Sequence, residues 1–115
     1  MVKYLFFNVG TSGLPNNGDF STARLVQLSW ILSDNKDFEK KQNVVNKIIK
    51  PHKFKISTGS SKIHGITQDY AKQYGKDIKQ VLKTFHNDLK DCEVLISHNI
   101  EFGYNVLEYE AKNMK

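Results

Sequence analysis

The chain has 115 residues, 39% of them hydrophobic and 25% charged, with a net charge of +5. These proportions suit one soluble domain with a single core and exclude a fully disordered chain. No apolar run approaches the ~18 residues of a membrane span, the N-terminus lacks a signal-peptide pattern, and the lone Cys92 excludes a disulfide framework or a multi-cysteine zinc site. The expectation is a cytoplasmic protein, or a nuclear one in a eukaryotic or viral setting, not secreted and without a membrane partner.

Val2 to Val9 reads as a strand with apolar residues on both faces, which predicts a central strand. The run GTSGLPNNGD that follows is turn chemistry. Arg24 to Leu32 predicts a second strand with Val26, Leu28, Trp30 and Leu32 on one face, and Trp30 as a core residue rather than a base-stacking one. SDNKD is a predicted turn, and Val44 to Lys50 a third strand stopped by Pro51, completing an antiparallel meander.

The stretch from His52 to Thr67 reads as irregular, with Ile63 and Ile66 as core or loop anchors. Thr67 is placed to cap a short helix over Gln68 to Gln73 that Gly75 ends. Ile78, Val81, Leu82, Phe85 and Leu89 form an amphipathic helical stripe. Glu93 to Ser97 predicts a fourth strand, preceded by a small, buried or half-buried Cys92. Phe102, Val106 and Tyr109 give the last segment a helical face. The order βββααβα predicts an α/β domain whose three-stranded meander is extended by a further strand, with flanking helices.

Charge is uneven along this order. Lys40, Lys41, Lys47, Lys50, Lys53 and Lys55 fall in a stretch without an acid, and Arg24 is the single arginine. Lysines are point charges that suit backbone phosphates rather than bidentate base reading, so the bias admits a polyanionic partner. On composition alone a lysine face that is simply solvated is the favoured reading. His52 and His86 have no partner at metal-ligand spacing and read as surface residues.

Three stretches, FFNVGTSGLP (Phe6 to Pro15), IHGIT (Ile63 to Thr67) and LISHNIEFG (Leu95 to Gly103), with ARLVQLSWIL between the first two, together resemble the DnaQ-like, DEDD-type 3′–5′ exonuclease family. The resemblance implies a ribonuclease H-like fold, and order and spacing match from about Val2 to Glu110. It also implies a mechanism in which carboxylates clamp two Mg2+ or Mn2+ ions that hold the scissile phosphate and activate water. The first family motif is Asp-x-Glu on the first strand, and residues i and i+2 share a face, so both acids reach the metals. The second places an Asp after His-Asn-x-x-Phe. A third, further along, supplies a His and a final Asp.

At the family's acid positions this chain carries Asn8, Gly10 and Gly103, and Lys115 precedes the third motif. An amide oxygen is a weak ligand for a hard cation, and glycine offers no side chain at all. Glu101 and Asp19 are the nearest acids that could substitute. The expectation is a single but incomplete domain over residues 1–115, its C-terminal part missing, with no intact catalytic residue and no bound metal.

The surrounding frame persists. By resemblance, Thr11, Gly13 and Leu14 flank a terminal nucleotide, His64, Gly65 and Ile66 flank the substrate groove, and Asn99 and Phe102 belong to the second motif. Each also has a plainer reading: a turn, a packing loop with a solvent-facing histidine, and a strand-to-helix turn fixed by hydrogen bonding of His98. The lost acids fit either retained nucleotide binding or drift. Three functions follow. One is an inactive exonuclease-like domain with residual affinity for single-stranded nucleic acid or a 3′ end. Another is an interaction module, completed by a protein partner or by self-association along the truncated edge. The third is an active nuclease with atypical ligands.

Overall fold

The computed structural model describes residues 3–33 and 44–113. Most of the predicted SDNKD turn, Lys40 and Lys41 lie outside the described residues. Four strands, β1 (Tyr4–Thr11), β2 (Leu25–Ser33), β3 (Val44–Ile48) and β4 (Val94–Ile96), form one sheet in the order β3-β2-β1-β4. β1, β2 and β3 pair antiparallel, and β4 joins β1 in parallel. The meander and its extension are as the hydrophobic alternation predicts, and the fold is α/β.

The connection from β1 to β2 is closed by the chemistry its sequence advertises. Asn16 and Asp19 exchange backbone hydrogen bonds of 3.0 and 2.9 Å, with Asn17 and Gly18 both at positive φ between them. Those are the backbone angles of a tight I′ turn, which Asn-Gly accepts at little steric cost. Asp19 then accepts a hydrogen bond from the Ser21 backbone N–H at 2.9 Å and starts a 3-10 turn over Phe20–Thr22.

One irregularity redirects a predicted core residue. The register passes from Gly10 opposite Gln27 to Thr11 opposite Leu25, leaving Val26 as a bulge. A bulge adds one residue to one strand and so inverts the alternation beyond it. Val26 therefore does not share the cluster of Leu28 and Trp30. Leu25 takes that place, and Val26 packs instead with Ile56, Ile66 and Ala71.

Two helices cover one face of the sheet. α3 (Ile78–Lys90) sends Val81 and Phe85, and α4 (Ile100–Lys112) sends Val106, onto Leu5, Phe7, Leu28 and Trp30. Phe85 meets both Phe7 and Trp30 edge-on, with centroids 5.9 and 5.1 Å apart. Such edge-to-face pairs add about 1 kcal/mol each beyond buried area. The Trp30 indole donates to Asp88 on α3 at 2.7 Å, which satisfies its buried N–H.

The segment read as irregular contains a helix, α1 (Thr58–His64), before α2 (Gln68–Tyr74). Ser57 caps α1 by accepting from the Ser60 N–H, and Gly65 ends it in the left-handed region. No α1 residue is buried, so the helix has no apolar stripe to betray it. The same geometry removes Ile63 from the anchors: it is 87% exposed, whereas Ile66 is buried. Thr67 and Gly75 bound α2 as expected. Among the described residues no helix is long and apolar enough to cross a membrane.

Candidate nucleic-acid groove and the degenerate metal centre

An open groove of about 1050 Å3 runs between the end of β1 with its following turn and one side of α1 along its length. Asn8 and Gly10 form its floor; Thr11, Gly13 and Leu14 form one wall; Lys55, Ser57, Ser60, Ile63 and His64 form the other; Phe102 closes it from α4. Of the predicted site residues, Asn8, Gly10, Thr11, Gly13, Leu14, His64 and Phe102 are thus brought together. Gly65, Ile66, Asn99 and Gly103 are not in the lining. Ile66 is a core residue, Gly65 is the exposed cap of α1, and Asn99 is the exposed N-cap of α4 with a φ of 52° and no side-chain capping bond.

The first wall is fixed by its own hydrogen bonds. Thr11 Oγ1 donates to the Gly13 carbonyl at 2.8 Å, and Thr22 Oγ1 donates to the Leu14 carbonyl at 2.7 Å. The Arg24 N–H donates to Ser12 Oγ, and the Ser12 N–H donates to the Arg24 carbonyl. A Cβ on Gly13 would sit 2.7 Å from the Thr22 carbonyl oxygen, so only glycine permits this approach. Leu14 is left 79% exposed at the rim. Leu14 and Ile63 thus place two bare apolar side chains on opposite lips.

His64 is half-buried rather than solvent-facing. Its Nδ1 accepts from the Ile66 N–H at 3.1 Å and its Nε2 lies 3.0 Å from the Thr11 carbonyl. A nitrogen that accepts from an N–H carries no proton, so Nε2 holds the proton and donates to Thr11. His64 therefore latches α1 to the end of β1 and sets the width of the groove. Its sequence position in IHGIT marks it, but the two-sided bonding is a tertiary feature.

His98, expected to fix the strand-to-helix turn, does not. Its ring makes no hydrogen bond among the described residues; Ser97 Oγ donates instead to the His98 carbonyl at 3.1 Å. The Gly103 N–H then closes the first turn of α4 on the Asn99 carbonyl.

The three degenerate acid positions do not fit a two-metal centre. Asn8 and Gly10 share the floor, as i and i+2 must, but supply one neutral amide between them. A Cβ on Gly103 would meet Phe7 Cε2 at 2.8 Å, so the Phe7 ring occupies the first atom of any side chain there. Among the described residues no carboxylate lines the groove. Asp19 is turned to the Ser21 N–H, which holds its carboxyl below the usual value, and Glu101 is exposed outside the lining. Among the described residues no group of three His, Cys, Asp or Glu side chains is placed to hold a metal.

The buried acid lies elsewhere, and sequence reasoning missed it. Glu110 on α4 is 2% exposed. It receives Arg24 Nε at 3.0 Å, Arg24 Nη2 at 2.9 Å and the Leu25 N–H at 2.8 Å. The Glu110 hydrogen bonds hold the guanidinium charged and push the Arg24 pKa up. Phe54 and Tyr109 stack within 5.0 and 5.6 Å of the guanidinium carbon. The single arginine of the sequence was the available clue.

A model of the exonuclease family, of ribonuclease T type, matches residues 13–115, beginning just after the strand that carries Asn8 and Gly10. The chain is 28% identical over 109 residues to the DNA polymerase III subunit epsilon of Buchnera aphidicola subsp. Schizaphis graminum, covering 94% of this chain and 45% of that protein. The chain thus spans less than half the length of that relative. Among solved structures it superposes on exonuclease I from Methylocaldum szegediense with a TM-score of 0.74, at 20% identity, over 92% of this chain and 22% of that one. A metal-free E. coli exonuclease I–single-stranded DNA complex gives 0.77 at 20% identity, over 95% of this chain and 24% of that one. These likenesses agree with the architecture described above: the chain belongs to the DnaQ-like exonuclease family and has its ribonuclease H-like fold.

Proposed function

We propose that this chain is a non-cleaving nucleic-acid-binding domain of the exonuclease family. The observation that carries the reading is the groove itself: its walls are ordered by hydrogen bonds, yet among the described residues its lining contains no carboxylate. Single-stranded nucleic acid, or a 3′ end, lies between Leu14 and Ile63 with its backbone toward Lys55 and the neighbouring Lys53 and Lys62. One structural neighbour is a complex with single-stranded DNA, which supports the ligand class. Without carboxylates among the described lining residues, the groove lacks the charge that neutralises and positions two cations, and no metal-activated water is generated there. Binding by lysine contacts is sequence-independent and weakens with salt, each phosphate contact adding about 0.7 to the log–log slope for a single strand.

Fluorescence anisotropy with a labelled single-stranded oligonucleotide tests the binding, and incubation of the same oligonucleotide with Mn2+ or Mg2+, with and without chelator, tests the chemistry. Saturable binding at low salt without chelator-sensitive shortening is expected. Chelator-sensitive 3′ shortening would overturn the non-cleaving reading, and absence of binding at low salt would overturn the affinity.

A second reading, a protein-interaction module, rests on one patch. β4 is the end strand of the sheet, and Val94, Ile96, Ile100 and Tyr104 on or beside it are each between 37% and 54% exposed. An edge strand with unpaired backbone and adjacent apolar side chains is a template for another chain. Solution mass by light scattering tests self-association there: a dimer dissociated by Ile96→Lys supports it, and a monomer at high concentration counts against it.

A further inference from the structure

We infer that α2 carries a base-stacking platform for single-stranded nucleic acid, separate from the groove; this rests on the nucleic-acid reading above and adds a second contact to it. Tyr70 and Tyr74 lie one turn apart on α2, with ring centroids 4.8 Å apart and planes tilted by 44°. They remain 46% and 55% exposed, while the neighbouring Ala71 is fully buried against Val26, Ile56 and Ile66. The helix is therefore anchored by Ala71, and the tyrosines are not what holds it to the core. Neither ring lines the groove.

Charge around the pair selects the ligand. Lys72 projects from the opposite side of the helix, two residues from each tyrosine, whereas Lys76 comes directly after Gly75. There the chain runs beside the end of the third strand: the Lys76 N–H donates to the Ile48 carbonyl and the Lys50 N–H donates to the Lys76 carbonyl, at 2.7 and 2.9 Å. Lys50 and Lys76 are thus neighbours at the C-terminal end of the tyrosine pair, and both are exposed. The nearby Asp77 is engaged in accepting from the Lys79 N–H at the start of α3. Aromatic faces bordered by lysines are the arrangement that takes an unpaired base on the ring and its phosphate on the ammonium group. A duplex, whose bases are already stacked, gains nothing from the rings.

The platform is mechanically joined to the groove. Gln68, in the first turn of α2, accepts from the Ile56 N–H at 2.8 Å and donates to the Phe54 carbonyl at 3.2 Å. Phe54 and Lys55 belong to the groove lining. One rigid connection therefore holds both surfaces.

The test compares two labelled oligomers of equal length on the full chain: a single-stranded deoxyoligonucleotide and an abasic one with the same phosphates. Tyr70→Ala with Tyr74→Ala is expected to weaken binding of the base-bearing strand about tenfold, as the loss of stacking for one base does. Binding of the abasic strand should stay within about twofold by the same logic, because phosphate contacts are untouched. Tyr70→Phe with Tyr74→Phe keeps the rings and should bind like the parent. If the alanine variant binds both strands like the parent, or weakens both equally while its circular dichroism is unchanged, the platform is overturned and the groove reading stands. If the parent binds neither strand at low salt, the nucleic-acid reading itself fails and the platform with it.

Discussion

Two regions facing each other across the 12–24 connection use polar chemistry in opposite ways. At the end of β1, where the family concentrates acids, this chain has Asn8 and Gly10 on an open floor, and Gly103 is covered by the Phe7 ring. At the start of β2, Arg24, Glu110 and the Leu25 N–H form a mutually hydrogen-bonded set. Glu110 is the one buried carboxylate among the described residues, and it is committed to holding α4 on the sheet. A carboxylate surrounded by its own cation and an N–H is neutralised and cannot also serve a metal. Glu110 thus serves the fold, while the groove keeps its shape without a carboxylate among the described residues.

Glu110→Ala should show the largest effect. It strands the partly buried guanidinium and the Leu25 N–H together, and loss of one partner of such a pair costs about 3 kcal/mol. Urea unfolding measures it, and a loss below about 0.5 kcal/mol, the ordinary range for a surface change, would break the contrast between the two regions. Gly103→Asp comes next. The new Cβ must displace Phe7, which is itself wedged against Phe85, and overpacking of this kind costs about 1–3 kcal/mol. Stability of the variant with and without Mn2+ sharpens the point: the destabilisation is expected without any metal-dependent recovery, because Asn8 and Gly10 still offer no partner acid.

Leu14→Ser should leave unfolding free energy within about 0.5 kcal/mol, since the side chain is almost wholly in solvent. The same variant is expected to weaken oligonucleotide binding several-fold, and equal binding would remove Leu14 from the groove's working surface. The smallest effect concerns Asp19. The Ser21 backbone N–H lowers its carboxyl pKa in the folded chain. Its stabilising contribution is therefore present above the unfolded value of about 3.9 and is lost as pH falls through the lower folded value. Asp19→Asn should lower the urea midpoint slightly near neutrality and flatten its dependence on pH below about pH 4, so that the two proteins converge in acid.

The sequence is legible where its local and tertiary demands coincide. The stripe from Ile78 to Leu89 packs as its spacing requires, Thr67 caps α2, and NNGD makes its turn. α1 was illegible because three serines or threonines, a glycine and no buried side chain leave no periodicity to read. The inward turn of Val26 to a second cluster is not legible, because the alternation of a strand carries no mark of a bulge. In the site, FFNVGTSGLP and IHGIT located two walls of the groove, but His98 and Ile63 were given roles that only local spacing suggested.

By itself the sequence determined the strand order, the helices α2 to α4, the family and the absence of acids at Asn8, Gly10 and Gly103, because each of these is written in residue identity and spacing. Tertiary structure alone decided that His64 bonds on both ring nitrogens, that Phe7 fills the space beside Gly103, and that Glu110 is taken by Arg24, 86 positions away. Such contacts join residues far apart in the chain, and no local pattern encodes which distant partner a side chain will meet once the sheet and helices have packed.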